Sequence, residues 1–378
     1  MANDRRKREA SHARRAEIPT ANVKENAVLN LKQPAAGIVA TAIVIAIALE
    51  FISLFDFAAF TGWVSYFLLC VIPMQIIVVV IWGCSHPDFA AKRSQPAKGV
   101  LLTLITLAAG VIVAPLYMEI AGGGVNPPTP MLAQCTIVSV VVTFFGSIIW
   151  GGYPFKLLIK NAVAAGLTLL AACYAVNYLL FRIFFDYGFM QGAPVYVPSL
   201  DPHGMFNALN ALVFYVTALG GMFLMLHFDL WPLTKFPAIM KQPVLGLMWT
   251  AVALVIGGVV FYLGVTMAGM DVMAFLVRFP VPFIFGTIIV LNMLQGSLFA
   301  KLHQPAKGVL NAIAAALIGT ALAQVYGALA PSVTGTLSAG PPAYDFEVWL
   351  ASSLLSVTFP FLIFHAEFFK LWPVKKPE

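Results

Sequence analysis

Gln33-Pro34-Ala35-Ala36-Gly37 is the first copy of a phrase that recurs along the chain and indicates its fold. In three further copies a glutamine and a proline are again followed, three residues after the proline, by a glycine: Gln95–Gly99, Gln242–Gly246 and Gln304–Gly308. A divergent copy, Ala162–Gly166, keeps the glycine but lacks the glutamine and the proline. Because each copy opens a long apolar run that a second run follows, the phrase marks five copies of one two-helix unit.

The composition places these runs in a membrane. Sixty per cent of the residues are apolar, only 10% are charged, and the mean hydropathy is +0.89, whereas roughly a quarter of the residues in soluble domains are charged. A spanning helix needs about 20 mainly apolar residues. Ten runs are long enough: 35–57, 63–83, 99–121, 131–151, 162–185, 206–228, 244–268, 273–299, 306–328 and 347–370. The predicted fold class is an all-α polytopic membrane protein, with ten transmembrane helices in five parallel two-helix repeats.

The lysines and arginines predict the orientation. If ten spans are threaded from a cytoplasmic N-terminus, only Arg182 and Arg278 of the 22 basic residues fall toward the opposite side. Cytoplasmic loops carry an excess of such residues, so both termini are expected in the cytoplasm. We therefore predict a multi-pass protein of the cell inner (plasma) membrane, with no cleaved signal peptide.

The phrase also sets the domain boundaries. A basic cytoplasmic tail covers 1–32, and the hairpin repeats cover 33–94, 95–160, 161–240, 241–302 and 303–378, the last with the C-terminal tail. Proline suits the first turn of a helix, and glycine lets another backbone approach.

Small residues concentrate in the odd-numbered helices, so we expect these to pack centrally and the even-numbered helices to face lipid. An alternative to five equal repeats is a duplication of two hairpins, units 1–2 against units 4–5, with the third unit inserted. The glycines of each pair are 62 residues apart, Gly37 from Gly99 and Gly246 from Gly308, which favours this duplication slightly.

The third unit departs from the pattern, and such departures tend to occur at functional sites. It has the longest outer loop, about 187–205, and it contains Arg182. Four of its residues follow at intervals of four and share one helix face: Tyr174, Tyr178, Arg182 and Asp186. This stripe predicts a binding site for an anionic or aromatic small molecule. The alternative is an Arg182–Asp186 ion pair at the outer interface.

Other polar residues in the spans suggest further sites. Glu50 is the most deeply placed carboxylate, and a charge within the bilayer is costly unless it is paired, protonated or hydrated. It is a candidate for proton coupling or for an ion pair with Arg182 or Arg278; the alternative is a carboxylate close enough to the outer interface to stay hydrated. His227, His365 and Glu367 are candidates for a metal or haem site, although their spacing matches no familiar motif. Interfacial histidines that hydrogen-bond locally are the alternative.

The sequence excludes several classes of function. It contains no phosphate-binding loop, dinucleotide fingerprint, nucleophile elbow or metalloprotease motif, and topology accounts for its basic residues, so nucleic acid is not expected as a partner. An enzyme acting within the membrane stays open, and no cofactor is required by the sequence.

Three functions remain. The first is a small-molecule transporter of the inner membrane, with the lipid bilayer and a small substrate as partners. The second is a non-catalytic anchor or scaffold subunit bound to another membrane protein or to a second copy. The third is a haem- or metal-bearing electron carrier.

Overall fold

The structure is a computed structural model that describes residues 29–375. Within this range ten helices are long and apolar enough to cross a membrane, which confirms the predicted number of spans. We number them α1 to α10: Ala35–Ser53, Phe57–Ile81, Ala97–Ile120, Pro130–Ile149, Ala162–Phe184, Ala208–His227, Val244–Met267, Val272–Met293, Ala306–Val333 and Asp345–Phe368. Most of the predicted basic tail, 1–32, lies outside the described residues.

The helix ends follow from local chemistry. The side chains of Thr129, Asn161 and Asn207 accept hydrogen bonds from backbone N–H groups in the first turns of α4, α5 and α6, as expected of N-cap residues. Asp56 accepts from the Ala59 N–H at 2.8 Å, so α2 begins six residues before the apolar run that predicted it. In α8 the chain is interrupted at Phe279, directly before Pro280, because proline cannot continue the ladder of backbone bonds.

The even-numbered helices form a closed ring in which α2, α4, α6, α8 and α10 each contact the next, and α10 contacts α2. Each odd-numbered helix lies outside the ring, against two adjacent even-numbered ones. Apolar side chains from all five even-numbered helices close the ring axis, leaving a cavity of only about 20 Å³. Phe144 of α4 lies there, packed edge-on against Phe223 and Phe359.

The expectation that odd-numbered helices pack centrally is wrong. In the most apolar stretch of each even-numbered helix, 61% to 78% of the residues are buried, against 22% to 39% in the odd-numbered helices. The small residues of the outer helices form one narrow contact face. On α9, for example, Gly308, Ala315 and Gly319 are buried, whereas Ile313 and Leu317 are exposed. Large side chains are needed inside the ring because they fill its axis.

The tightest helix crossing shows what the small residues provide. A Cβ atom added at Gly319 of α9 would lie 1.7 Å from the Pro282 carbonyl oxygen, and one added at Gly286 of α8 would lie 1.7 Å from that of Ala315. The two backbones are therefore in direct contact, an approach that only glycine permits.

The repeated phrase forms one kind of contact. In four copies the glutamine side chain accepts from the backbone N–H of its own glycine and donates to a carbonyl at the end of an even-numbered helix. The four pairs are Gln33 with Met293, Gln95 with Phe368, Gln242 with Ile149, and Gln304 with His227, at 2.6 to 3.0 Å. In the divergent copy the direction is reversed, because Trp82 donates its ring N–H to the Ala162 carbonyl. We call the membrane face where these contacts lie the entry face.

The even-numbered helices share one ending. Each is followed by two consecutive residues with positive φ: Gly83 and Cys84, Gly151 and Gly152, Asp229 and Leu230, Gln295 and Gly296, and Lys370 and Leu371. The residue before each pair packs against the glycine of one phrase copy: Trp82 on Gly166, Trp150 on Gly246, Phe228 on Gly308, Leu294 on Gly37, and Phe369 on Gly99.

Candidate functional site

A groove lies between α5 and α7, with α4 and α6 as its floor. Its volume is about 910 Å³, within the range of roughly 300–1,000 Å³ typical of small-molecule sites. Its lining is almost entirely apolar and includes Val141 and Phe145 of α4, Phe214 of α6, and Leu254 of α7. This site is therefore built to hold apolar surface.

The groove exists because α5 and α7 pack against different neighbours. The α5 helix stays on α4, where Cys173 lies so close to Gly146 that a Cβ there would meet its sulfur at 2.9 Å. The α7 helix begins against Trp150 at the end of α4 but then packs on α6, where Gly257 contacts Ala218. The two outer helices therefore leave the outer surface of α4 uncovered between them.

The groove has polar atoms mainly at its two ends. At the entry face, Trp150 donates its ring N–H to the Thr250 hydroxyl at 3.2 Å, and Tyr153 stacks on Trp150. At the opposite end are Asn207, the N-cap residue of α6, and Asn210, in its first turn. An apolar middle between two polar ends matches the cross-section of a membrane.

The length of the groove exceeds one leaflet. Its α5 wall extends from Leu169 to Phe184, which is about 22 Å at 1.5 Å per residue. Half of the hydrocarbon core of a bilayer is about 15 Å, so the groove crosses the midplane.

The stripe predicted from the sequence lies on the other side of the same helix. With 3.6 residues per turn, Tyr174, Tyr178 and Arg182 point away from the α5 face that lines the groove. The Tyr174 ring packs edge-on against Tyr117 of α3, while Arg182 is exposed and forms no ion pair with Asp186 in the described residues. None of the four stripe residues lines the groove.

Asp186 lies in the outer connection, where Phe185–Asp186 (β1) pairs in parallel with Phe206–Asn207 (β2). Ligand atoms of Asp186, Asp201 and His203 lie within 4.8 Å of one another. The buried Asp201 carboxylate, however, already accepts from the Tyr187 and His203 N–H groups and from the Tyr196 hydroxyl. These bonds explain the three residues as an anchor for the loop.

Glu50, the proton-coupling candidate, lies in the last turn of α1. Its side chain is exposed, and it forms no ion pair with Arg182, Arg278 or any other described residue. This position, one turn from the helix end, is compatible with the hydrated carboxylate that was the alternative.

The candidates for a metal or haem site do not form a group of three neighbouring ligand atoms in the described residues. His227 is buried at the end of α6, where its Nε2 pairs with the Thr287 hydroxyl at 2.9 Å. Glu367 in α10 accepts from Asn292 and from Lys370, at 3.0 Å each. Within the described residues, the only three metal-ligating side chains close enough to share an ion are Asp186, Asp201 and His203. His227, His365 and Glu367 form no such group.

Sequence reasoning identified the third unit but missed the residues that line its groove. The divergent copy of the phrase could have indicated the groove. This copy lacks the glutamine and the proline, and it begins α5, which forms one wall of the groove. Comparison with protein-family models, curated proteins and solved structures finds no match to this chain. The site must therefore be judged from its own geometry.

Proposed function

We propose that this integral membrane protein binds an elongated, lipid-class amphiphile in the groove between α5 and α7. The observation that carries this proposal is an apolar groove of about 910 Å³ with polar groups at its two ends. An occupant with a long apolar chain and one polar end would match both features. Because the groove is longer than one leaflet, a chain that extends past the midplane would fill it best.

A scaffold role, in which a helix of a partner protein covers the groove, is the alternative. The polar groups at the ends of the apolar groove favour an amphiphile, because an apolar helix surface would offer them no hydrogen-bond partners.

We keep transport as part of the proposal, but only for a substrate that enters the protein from the lipid. The ring axis is closed by apolar side chains such as Phe144 and Leu219, which disfavours a polar path for a water-soluble anion. A substrate that enters sideways from the lipid would use the groove instead. This change moves the expected substrate from a small anion to a membrane amphiphile.

We further propose that five parallel two-helix repeats generate the fold, with both termini in the cytoplasm. Four equivalent glutamine contacts support the repeats, as do five equivalent helix endings. Each phrase copy packs on the even-numbered helix that belongs to the unit two places earlier around the ring. The third unit follows the same rule as the other four, which favours five repeats over a duplication of two hairpins with the third unit inserted.

The binding proposal is tested with a C16 fatty acid that carries a diazirine near its terminal methyl group and an alkyne for detection. The purified protein is photolabelled in nanodiscs, and the labelled peptides are mapped by mass spectrometry. We expect labels to concentrate on the groove faces of α5 and α7, near Val176 and Leu254.

Matched variants on α5 give the control. Val176 lines the groove and is 46% exposed, whereas Leu179 is 59% exposed and lies outside it. Val176→Trp should fill the groove and remove the concentrated label, and Leu179→Trp should leave it unchanged. Labels spread evenly over all odd-numbered helices would mean that the groove holds only bulk lipid, and the proposal would fail.

A further inference from the structure

A second polar site lies on the other side of α5, among α3, α4 and α5. The Asn177 side chain is fully buried and donates from its amide nitrogen to the Tyr117 hydroxyl and, at 3.0 Å, to the Cys135 carbonyl oxygen. Tyr117 and Cys135 also share a contact of 3.1 Å between hydroxyl and sulfur. Asn177 is seven residues from the end of α5, so the cluster lies about 10 Å inside the span.

One hydrogen-bond acceptor in this cluster, the side-chain oxygen of Asn177, has no donor. A carbonyl oxygen can only accept, so the Cys135 carbonyl fixes which end of the Asn177 amide faces it. The amide oxygen Oδ1 then points elsewhere and has no hydrogen-bond partner in the described residues. A buried acceptor without a partner is unfavourable, because it has lost its hydrogen bonds to water.

A second unpartnered group lies on the same side of α5, one turn deeper. The hydroxyl of Tyr174 is buried and has no hydrogen-bond partner in the described part of the chain. The Ser139 hydroxyl lies nearby and donates to the Thr136 carbonyl at 2.6 Å, but its geometry toward the Tyr174 hydroxyl is not that of a hydrogen bond. A buried hydroxyl that can donate and a buried amide oxygen that can accept therefore belong to residues about one turn apart on α5.

We propose that this site binds water within the membrane span. One water molecule would donate to Asn177 Oδ1 and accept from the Tyr174 hydroxyl, and buried waters typically make about three such bonds. The same groups could simply hold helices together, as buried amides often do in membranes. That role satisfies the Asn177 nitrogen, but it leaves both the amide oxygen and the Tyr174 hydroxyl unpaired.

The face opposite the entry face is the nearer one to this site. Gln134, next to Cys135 on α4, accepts from the Tyr187 hydroxyl at 3.0 Å, and the Tyr187 N–H donates to Asp201 in the outer loop. Polar side chains therefore lie between the loop and the depth of Tyr174, which is about 15 Å inside α5. We expect water to enter from this opposite face.

X-ray radiolytic labelling in nanodiscs tests the proposal, since bound water yields hydroxyl radicals that oxidise adjacent side chains. We expect Tyr174 and Cys135 to be oxidised, with ¹⁸O incorporated after exchange into H₂¹⁸O. Tyr326 is the internal control, because it is fully buried and its hydroxyl is paired with Thr358 at 2.6 Å.

Two variants distinguish oxidation by bound water from non-specific oxidation of buried side chains. Asn177→Leu removes the acceptor, and Tyr174→Phe removes only a hydroxyl and should fold even if the first variant does not. Each should reduce oxidation of Cys135 to the level of Tyr326. Wild-type labelling no greater than that of Tyr326 would overturn the proposal, as would labelling that Tyr174→Phe leaves unchanged.

Discussion

The side-chain amide of Gln95 donates to the carbonyl oxygen of Phe368 at 2.6 Å, although 273 residues separate the two. The same glutamine accepts from the Gly99 N–H at 3.2 Å. One side chain thus caps the start of α3 and satisfies a free carbonyl at the end of α10. Helix ends have such unpaired groups, and inside a membrane little water is present to satisfy them.

Replacing Gln95 with leucine should destabilise the protein. The change leaves the Phe368 carbonyl unpaired in a buried site, at a cost of about 1–3 kcal/mol. Gln33→Leu should cost less, because Gln33 is only partly buried. The measurement is thermal unfolding in detergent, with Gln324→Leu, on the exposed surface of α9, as the control. Equal melting temperatures for Gln95→Leu and Gln324→Leu would contradict the role assigned to the phrase.

Substituting Gly319 should disrupt the contact between α8 and α9. A Cβ at this position would lie 1.7 Å from the Pro282 carbonyl oxygen, so Gly319→Ala must separate two backbones. Overpacking typically costs about 1–3 kcal/mol, and we expect the upper end of this range. Gly220→Ala is the matched control, since its nearest neighbour atom would be 3.9 Å away. If both alanine variants unfold alike, the close crossing is not required.

Stability at acidic pH should depend weakly on Asp229. Burial raises the pKa of this carboxyl. Hydrogen bonds from Gln304 and Lys307, together with the charge of Lys307, lower it by more, so the pKa lies below its ordinary value. A depressed carboxyl pKa stabilises the fold above the unfolded value of about 3.9, and this contribution is lost as the pH falls through the folded value.

Asp229→Asn should therefore melt below wild type at pH 7, and the difference should begin to shrink as the pH falls below about 4. The difference should be at most about 1 kcal/mol, because the Asp229 side chain is 59% exposed. Melting curves between pH 3 and pH 7 would check this, with Lys301→Gln as the control. A difference that persists unchanged at the lowest pH would show that the carboxylate charge is not the cause.

The proposed orientation can be checked by cysteine labelling, because the four native cysteines are all buried. Arg93→Cys and Lys301→Cys place thiols on exposed residues at the entry face, and Gln191→Cys places one in the outer loop. A membrane-impermeant maleimide should label the first two only in inverted vesicles and the third in intact cells. Labelling of Arg93→Cys in intact cells would reverse the proposed topology.

Much of the fold could be read from local features. Ten spans follow from the length of the apolar runs, and the phrase with Gln95 and Gly99 marked where an outer helix begins and a close contact forms. These features are local because a spanning helix satisfies its own backbone bonds and depends little on its neighbours. The carbonyl that each glutamine reaches could not be foreseen, since Phe368 and Met293 carry no pattern that selects them.

The arrangement of the helices was decided by the tertiary structure alone. Lipid chains are as apolar as leucine, so hydrophobicity does not distinguish a side chain that faces lipid from one that faces protein. For this reason the alanines and glycines of α9 suggested a central helix but form the inner edge of an outer one. The groove likewise depends on α7 leaving α4 for α6, and the Asn177 site depends on residues from three helices meeting at one depth. The groove and the Asn177 site are therefore both determined by how the side chains of neighbouring helices fit together, which only the folded chain reveals.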